Sequence, residues 1–231
     1  MKHYLFDLTL NTRDLGGYKT SEGKVTKYLR FIRSDSLDML GEEAKNFLLE
    51  NNFKTQIDLR TENVINTYPS ALSNDKRFKY YNYSLVEGSG IPLTDENAAK
   101  LYLQMVGNHD TFYKIFTTIL NADGNVIYNC TAGKDRTGMV TVLLFLLAKV
   151  SEEDIIEDYF VSNECIYSRI HLKQERNGTF PHSLGYCKKE YLIDFLKMFK
   201  EKYGDVITYF HTIGLTDEQI SSLKERLVGE E

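Results

Sequence analysis

The chain has 231 residues and a formal net charge of −5, with 42% hydrophobic and 26% charged residues. That balance supports a sizeable core, argues against wholesale disorder, and speaks against a dedicated nucleic-acid binder while leaving room for a local basic patch. Three cysteines at irregular spacing fit reduced thiols better than a disulfide framework, and no CxxC or HExxH spacing marks a metal site.

No Pro/Gly/Ser-rich linker or charge block divides the chain, so residues 1–231 read as one domain. The first ten residues, MKHYLFDLTL, hold no long apolar run, and the longest such run, 139–150, is interrupted by Thr141 and too short to span a bilayer. A cytoplasmic protein without integral membrane contact is the expectation, although a secreted chain trimmed of its leader would read the same. Oligomeric state is not written in the pattern, and a monomer is the default.

In chain order, NTRDLGGY at 11–18 places an Arg-Asp pair beside a Gly-Gly turn, either as a structural ion pair or as part of a site. A hairpin around SEGK and a strand in YLRFIRS follow, then a short helix over 41–50 with Ala44, Phe47 and Leu48 on one face. A strand over 55–59 ends at Arg60, where the carboxyl edge of an α/β sheet would let its guanidinium meet an anion. The run 80–85 reads as another strand and EGSGIPLTDEN as a loop, with helices over 95–106 and 110–120 and a turn at 121–124.

Beyond the central stretch, Ser151 and Asp154 resemble a capping box for a helix running to about Ser168. Residues 169–189 lack periodicity and collect Arg169, His171, Lys173, Arg176, His182, Lys188 and Lys189, which suits a solvated loop or a flap that contacts an anionic ligand. Helices over 190–203, 206–212 and 216–227 close the chain, with Gly204 and Gly214 as terminators.

The central stretch is 125–150, NVIYNCTAGKDRTGMVTVLLFLLAKV. It reads as a strand at 126–128, a tight polar loop from Cys130 to Arg136, and a buried helix from about Thr137. A loop turning successive N–H groups inward makes an anion nest, and a helix starting at its far end adds a positive pole. Both favour a thiolate at Cys130 and would hold the oxygens of a phosphoryl group through Thr131, Ala132, Gly133 and Lys134. Arg136 offers a planar fork for two phosphoryl oxygens, which lysine replaces poorly. The Walker phosphate loop does not fit, because Tyr128 stands where its first glycine is needed and Asp135 follows Lys134.

The motif CTAGKDRTG followed by a buried helix resembles the phosphate-binding loop of cysteine-dependent protein tyrosine phosphatases. The likeness is to the bacterial group whose members act on phosphotyrosine and often on phosphoinositides. RDLGGY at Arg13 to Tyr18 and IDLRT at Ile57 to Thr61 match two further elements of that group in the same order. The resemblance implies an α/β protein tyrosine phosphatase-like fold, a central mostly parallel sheet flanked by helices, with no metal or cofactor. It implies Cys130 as nucleophile, Arg136 as phosphate clamp and Thr137 as the hydroxyl offered to the departing sulfur. Their places in the chain gather Arg13, Asp58 and Arg60 near the same carboxyl edge of the sheet as further substrate-binding candidates. A carboxylic acid must protonate the leaving oxygen. Asp135 is the first choice, followed by Asp58, with Asp14 and the acidic loop around Asp95 as alternatives.

One position departs from the group: most members place His before the nucleophile, and this chain has Asn129. Since Asn carries no charge, an active but slower enzyme with an optimum toward higher pH is expected. The expected partners are a phosphorylated protein or a phosphoinositide, with peripheral lipid contact and no nucleic acid. Phosphotyrosine and phosphoinositide stay open as substrates. A phosphatase fold that binds phosphorylated ligands without turnover, and a rhodanese-type thiol transferase, are the competing readings.

Overall fold

The computed structural model describes residues 4, 6, 9–85, 94–177 and 187–230. Most of the loop read at 87–97 and much of the 169–189 segment lie outside the described residues. In chain order the elements are β1 (Arg13–Asp14), β2 (Val25–Thr26), β3 (Phe31–Ser34), α1 (Glu42–Glu50), β4 (Phe53–Asp58), α2 (Glu62–Thr67) and β5 (Lys79–Asn82). They continue with α3 (Ala98–Val106), α4 (His109–Leu120), β6 (Asn125–Asn129), α5 (Asp135–Ala148), α6 (Glu152–Asn177), α7 (Lys189–Tyr203), α8 (Val206–Thr212), α9 (Asp217–Leu227) and β7 (Val228–Gly229).

Five strands form one sheet in the order β1-β3-β6-β4-β5, in which β3, β6, β4 and β5 run parallel and only β1 is antiparallel. The expected mostly parallel α/β architecture is what the chain adopts. Side chains alternate across β6: Val126 and Tyr128 enter the core with α3, α5 and the C-terminal helices, whereas Ile127 packs with Ile32, Ala44, Leu48 and Phe53 on the α1 side. Both faces are covered, which is why the strand reads as a continuous apolar run. The register sets Ser34 and Asp58 on either side of Asn129, so three carboxyl strand ends meet at one edge. There the chain leaves β6 for α5, a helix buried on nearly every side.

Two boundaries differ from the sequence reading. Helix α6 continues to Asn177, through residues expected to be loop. Leu172, Lys173, Gln174, Glu175 and Arg176 are good helix formers, and no Gly or Pro intervenes before Gly178, so the helix persists without an apolar stripe. Strand β5 is shorter than expected and stops at Asn82. Ser151 caps α6 as read, accepting from the Asp154 N–H at 3.1 Å.

Candidate active site

The loop between β6 and α5 holds Cys130, which is buried, and is tied down through its carbonyls. Asn129 O accepts from Leu59 N at 2.8 Å and Thr131 O accepts from Ser36 N at 3.3 Å. Ala132 O accepts from Asn11 Nδ2 at 2.8 Å, and Gly133 O accepts from Arg33 Nη2 at 2.7 Å. Carbonyls bonded outward to the scaffold leave the alternate N–H groups for the concave side, which is the construction of an anion nest. Gly133 makes the tightest bend, at φ 66°, and a Cβ there would fall 2.7 Å from Asp35 N. The first turn of α5 begins at Asp135, so the helix pole faces the same hollow.

A buried charge cluster stands behind the loop. Asp158 of α6 accepts from Arg33 Nη1 and from Arg13 Nε at 3.4 Å, and Tyr18 donates to it at 3.0 Å. Burial alone would raise the Asp158 carboxyl, but the two guanidinium groups outweigh it and hold it below the ordinary carboxylate range. Arg13 also donates to the Asp158 carbonyl at 2.9 Å and to Asn11, the residue that grips Ala132.

The structure therefore places Arg13 apart from the anion-facing position expected of it: its side chain is fully buried and spent on α6 and Asn11. Arg60 is engaged in the same manner. It forks onto Asp58 at 2.9 and 2.7 Å, and its Nη1 donates to Ser36 Oγ at 2.7 Å and to Tyr68 O at 3.0 Å. Asp58 is fully buried and also accepts from Tyr80. Asp14 accepts from Tyr4, Gly16 and Leu29 at 2.8 to 2.9 Å, and Asp95 accepts from Lys188 and Tyr191. Asp58 and Asp14 are structural anchors, whereas Asp95, 58% exposed, pairs at the surface with residues around the start of α7.

Asp135 differs from Asp58 and Asp14 in being 17% exposed. Lys134, at 1% exposure, brings Nζ within 3.4 Å of its Oδ1. Arg136 Nη2 lies 3.4 Å from Thr131 Oγ1, and the side chain is half-buried. Thr137 Oγ1 is buried with no hydrogen-bond partner among the described residues. Asn129 accepts from Gln56 Nε2 at 2.8 Å and donates toward Cys130 O at 3.4 Å, while Ser70 donates to Gln56 at 2.8 Å. A neutral relay thus reaches the residue that carries the thiol.

The sequence reading missed Arg33, Asp158, Asn11 and Tyr102. A charge inside the apolar strand FIRS, and an aspartate beside Tyr159 and Phe160, are the available signals that two buried charges must meet.

The family model described as "Tyrosine phosphatase family" matches residues 5–229. The chain belongs to the tyrosine phosphatase family. It is 29% identical to a tyrosine-protein phosphatase of Nostoc commune over 216 residues, covering 85% of this chain and 74% of that one. It is 28% identical over 129 residues to the triple specificity protein phosphatase PtpB of Mycobacterium tuberculosis, covering 48% of this chain and 47% of that one. Among solved structures, the Siw14 catalytic core matches with a TM-score of 0.40 and 16% identity over 88% of this chain and 96% of that one. In this tyrosine phosphatase family member no helix among the described residues is long and apolar enough to cross a membrane.

Proposed function

We propose that this family member hydrolyses phosphomonoesters, with phosphotyrosine as the principal substrate, through a phosphocysteine intermediate. The observation that carries the reading is the Cys130 loop, with four successive or near-successive carbonyls bonded away from the hollow and α5 starting at its end. The N–H groups of Thr131 to Lys134 and the fork of Arg136 would hold three phosphoryl oxygens, and the same positive field favours the thiolate. In the first step the Cys130 sulfur attacks phosphorus, the S–P bond forms, and the bond to the leaving oxygen breaks. Asp135 passes its proton to that oxygen.

Asp135 is assigned this role because Asp58 and Asp14 are buried and saturated with donors, whereas Asp135 keeps an exposed side. In the second step water attacks phosphorus, gives its proton to Asp135, and the S–P bond breaks to release inorganic phosphate. The unpartnered Thr137 hydroxyl is suited to donate to the departing sulfur. Arg13, Asp58 and Arg60 act by holding the loop and strand edge rather than by touching substrate.

Hydrolysis of p-nitrophenyl phosphate beside the Cys130→Ser variant tests the reading. The wild-type chain should release phosphate without added metal, and the variant should bind inorganic phosphate yet turn over at background rate. Substantial turnover by the serine variant would overturn the covalent route, and phosphate binding without any wild-type turnover would favour a binding module.

A further inference from the structure

The Asp135 carboxylate is gripped by one oxygen. Tyr102, from α3, donates its phenolic hydrogen to Oδ1 at 2.5 Å, and Lys134 Nζ approaches the same oxygen. Neither contact ends on Oδ2. Tyr102 is fully buried, and its hydroxyl also lies 2.7 Å from the hydroxyl of Tyr159 on α6, the two rings meeting edge to face. Because the single Tyr102 hydrogen goes to Asp135, Tyr159 must be the donor to Tyr102. Cys187, just ahead of α7, lies near this pair, and burial pushes its thiol up to about 12. The hydrogens run one way, from Tyr159 through Tyr102 to Oδ1.

We propose that Tyr102, backed by Tyr159, is a positioning residue for proton transfer: it occupies Oδ1 of Asp135 so that Oδ2 faces the hollow and carries the proton. The proposal rests on the reading of Asp135 as the acid. The groups that face Asp135 are Lys134 from the loop, Tyr102 from α3, Tyr159 from α6 and Cys187, with Arg136 next to it on α5. Burial, reinforced by the Asp135 charge, keeps the tyrosines protonated, and the basic side chains beside the carboxylate are Lys134 and Arg136. A hydrogen bond donated to a carboxylate favours its charged form. Removing it must therefore raise the pH at which the acid loses its proton.

The test is the pH dependence of kcat/KM for Tyr102→Phe with phenyl phosphate and p-nitrophenyl phosphate, with Asp135→Asn run in parallel. The alkaline limb should move upward by on the order of one pH unit, and phenyl phosphate, the poorer leaving group, should lose roughly tenfold more rate than p-nitrophenyl phosphate. Tyr159→Phe should displace the limb in the same direction by less, and it carries the test if thermal melting shows that Tyr102→Phe does not fold. An unmoved limb with unchanged leaving-group dependence in the folded variant overturns the positioning role. If Asp135→Asn itself keeps the limb, the acid assignment fails and this proposal falls with it; if Asp135→Asn loses the limb while Tyr102→Phe keeps it, only the role of Tyr102 is refuted.

Discussion

Arg33 spans the gap between Asp158 and the carbonyl of Gly133, donating Nη1 to the carboxylate and Nη2 to the carbonyl at 2.7 Å. One guanidinium thereby links α6 to the bend of the nucleophile loop. The planar fork matters, since a lysine supplies one point charge and cannot reach both acceptors in fixed geometry. Arg33→Lys should lower stability by about 3 kcal/mol in urea unfolding and reduce kcat at least tenfold, because a buried carboxylate and a loop carbonyl lose a shared donor. Wild-type values of both would show that Arg33 does not couple α6 to the loop.

The same cluster predicts a pH signature. Asp158 is held below its ordinary range, so its contribution to stability is complete above the unfolded value, about 4, and is lost as pH falls through the lower folded value. Asp158→Asn should cost about 3 to 5 kcal/mol at neutral pH, since Arg13 and Arg33 are left buried without a counter-charge. The gap between variant and wild type should stay constant from neutrality to about pH 5 and narrow below about pH 4. A gap that widens in acid would contradict this sign.

Gly133 and Gly23 give a matched comparison. Both lie at positive φ, 66° and 74°, but a Cβ at Gly133 meets the backbone of Ser34 and Asp35 at 2.7 to 2.8 Å, while nothing lies within 4 Å of one at Gly23. Gly23→Ala pays backbone strain alone, on the order of 1 to 2 kcal/mol. Gly133→Ala adds a clash that backbone atoms cannot evade and should cost about 2 kcal/mol more, with loss of phosphate protection in thermal melts. Equal costs at the two sites would show that the loop bends freely.

Lys134 tests substrate class. Its ammonium is buried beside Asp135, so part of its charge is neutralised within the protein. Lys134→Ala should lower kcat/KM for inositol phospholipids and for phosphotyrosine peptides by similar factors, within about threefold, if the lysine serves the loop and its acid rather than extra ligand phosphates. A loss confined to the lipids would make phosphoinositides the principal substrates.

Much of the site was legible because it is local. The apolar run before Cys130, the small residues of the loop and the apolar helix after it are contiguous, and the loop's curvature follows from their sizes. What escaped depends on partners far along the chain. Arg13 and Arg60 look like anion ligands beside a strand end until Asp158 and Asp58 are seen to claim them. Tyr102 looks like core on α3, and only the fold brings it to Asp135, 33 positions later. The end of α6 is hidden for the opposite reason: plain helix propensity carries it to Asn177 with no periodic pattern to mark it.

Asn129 is the remaining departure from the related loops. It accepts from Gln56 and donates toward Cys130 O at 3.4 Å, so it orients the loop through a neutral relay that begins at Ser70. A histidine there could add positive charge next to the thiol, favouring the thiolate by Coulomb attraction. A charged ring donates from both nitrogens, so the Gln56 amide, whose Nε2 now donates, would have to turn and offer its oxygen. Asn129→His should therefore move the pH dependence of iodoacetate inactivation, and with it the turnover optimum, to lower pH. If both stay where they are, the relay already supplies what the charge would, and the Gln56 bond rather than the field sets the thiol. Gln56→Ala in the wild-type background separates the two, since it removes the relay and leaves Asn129 in place.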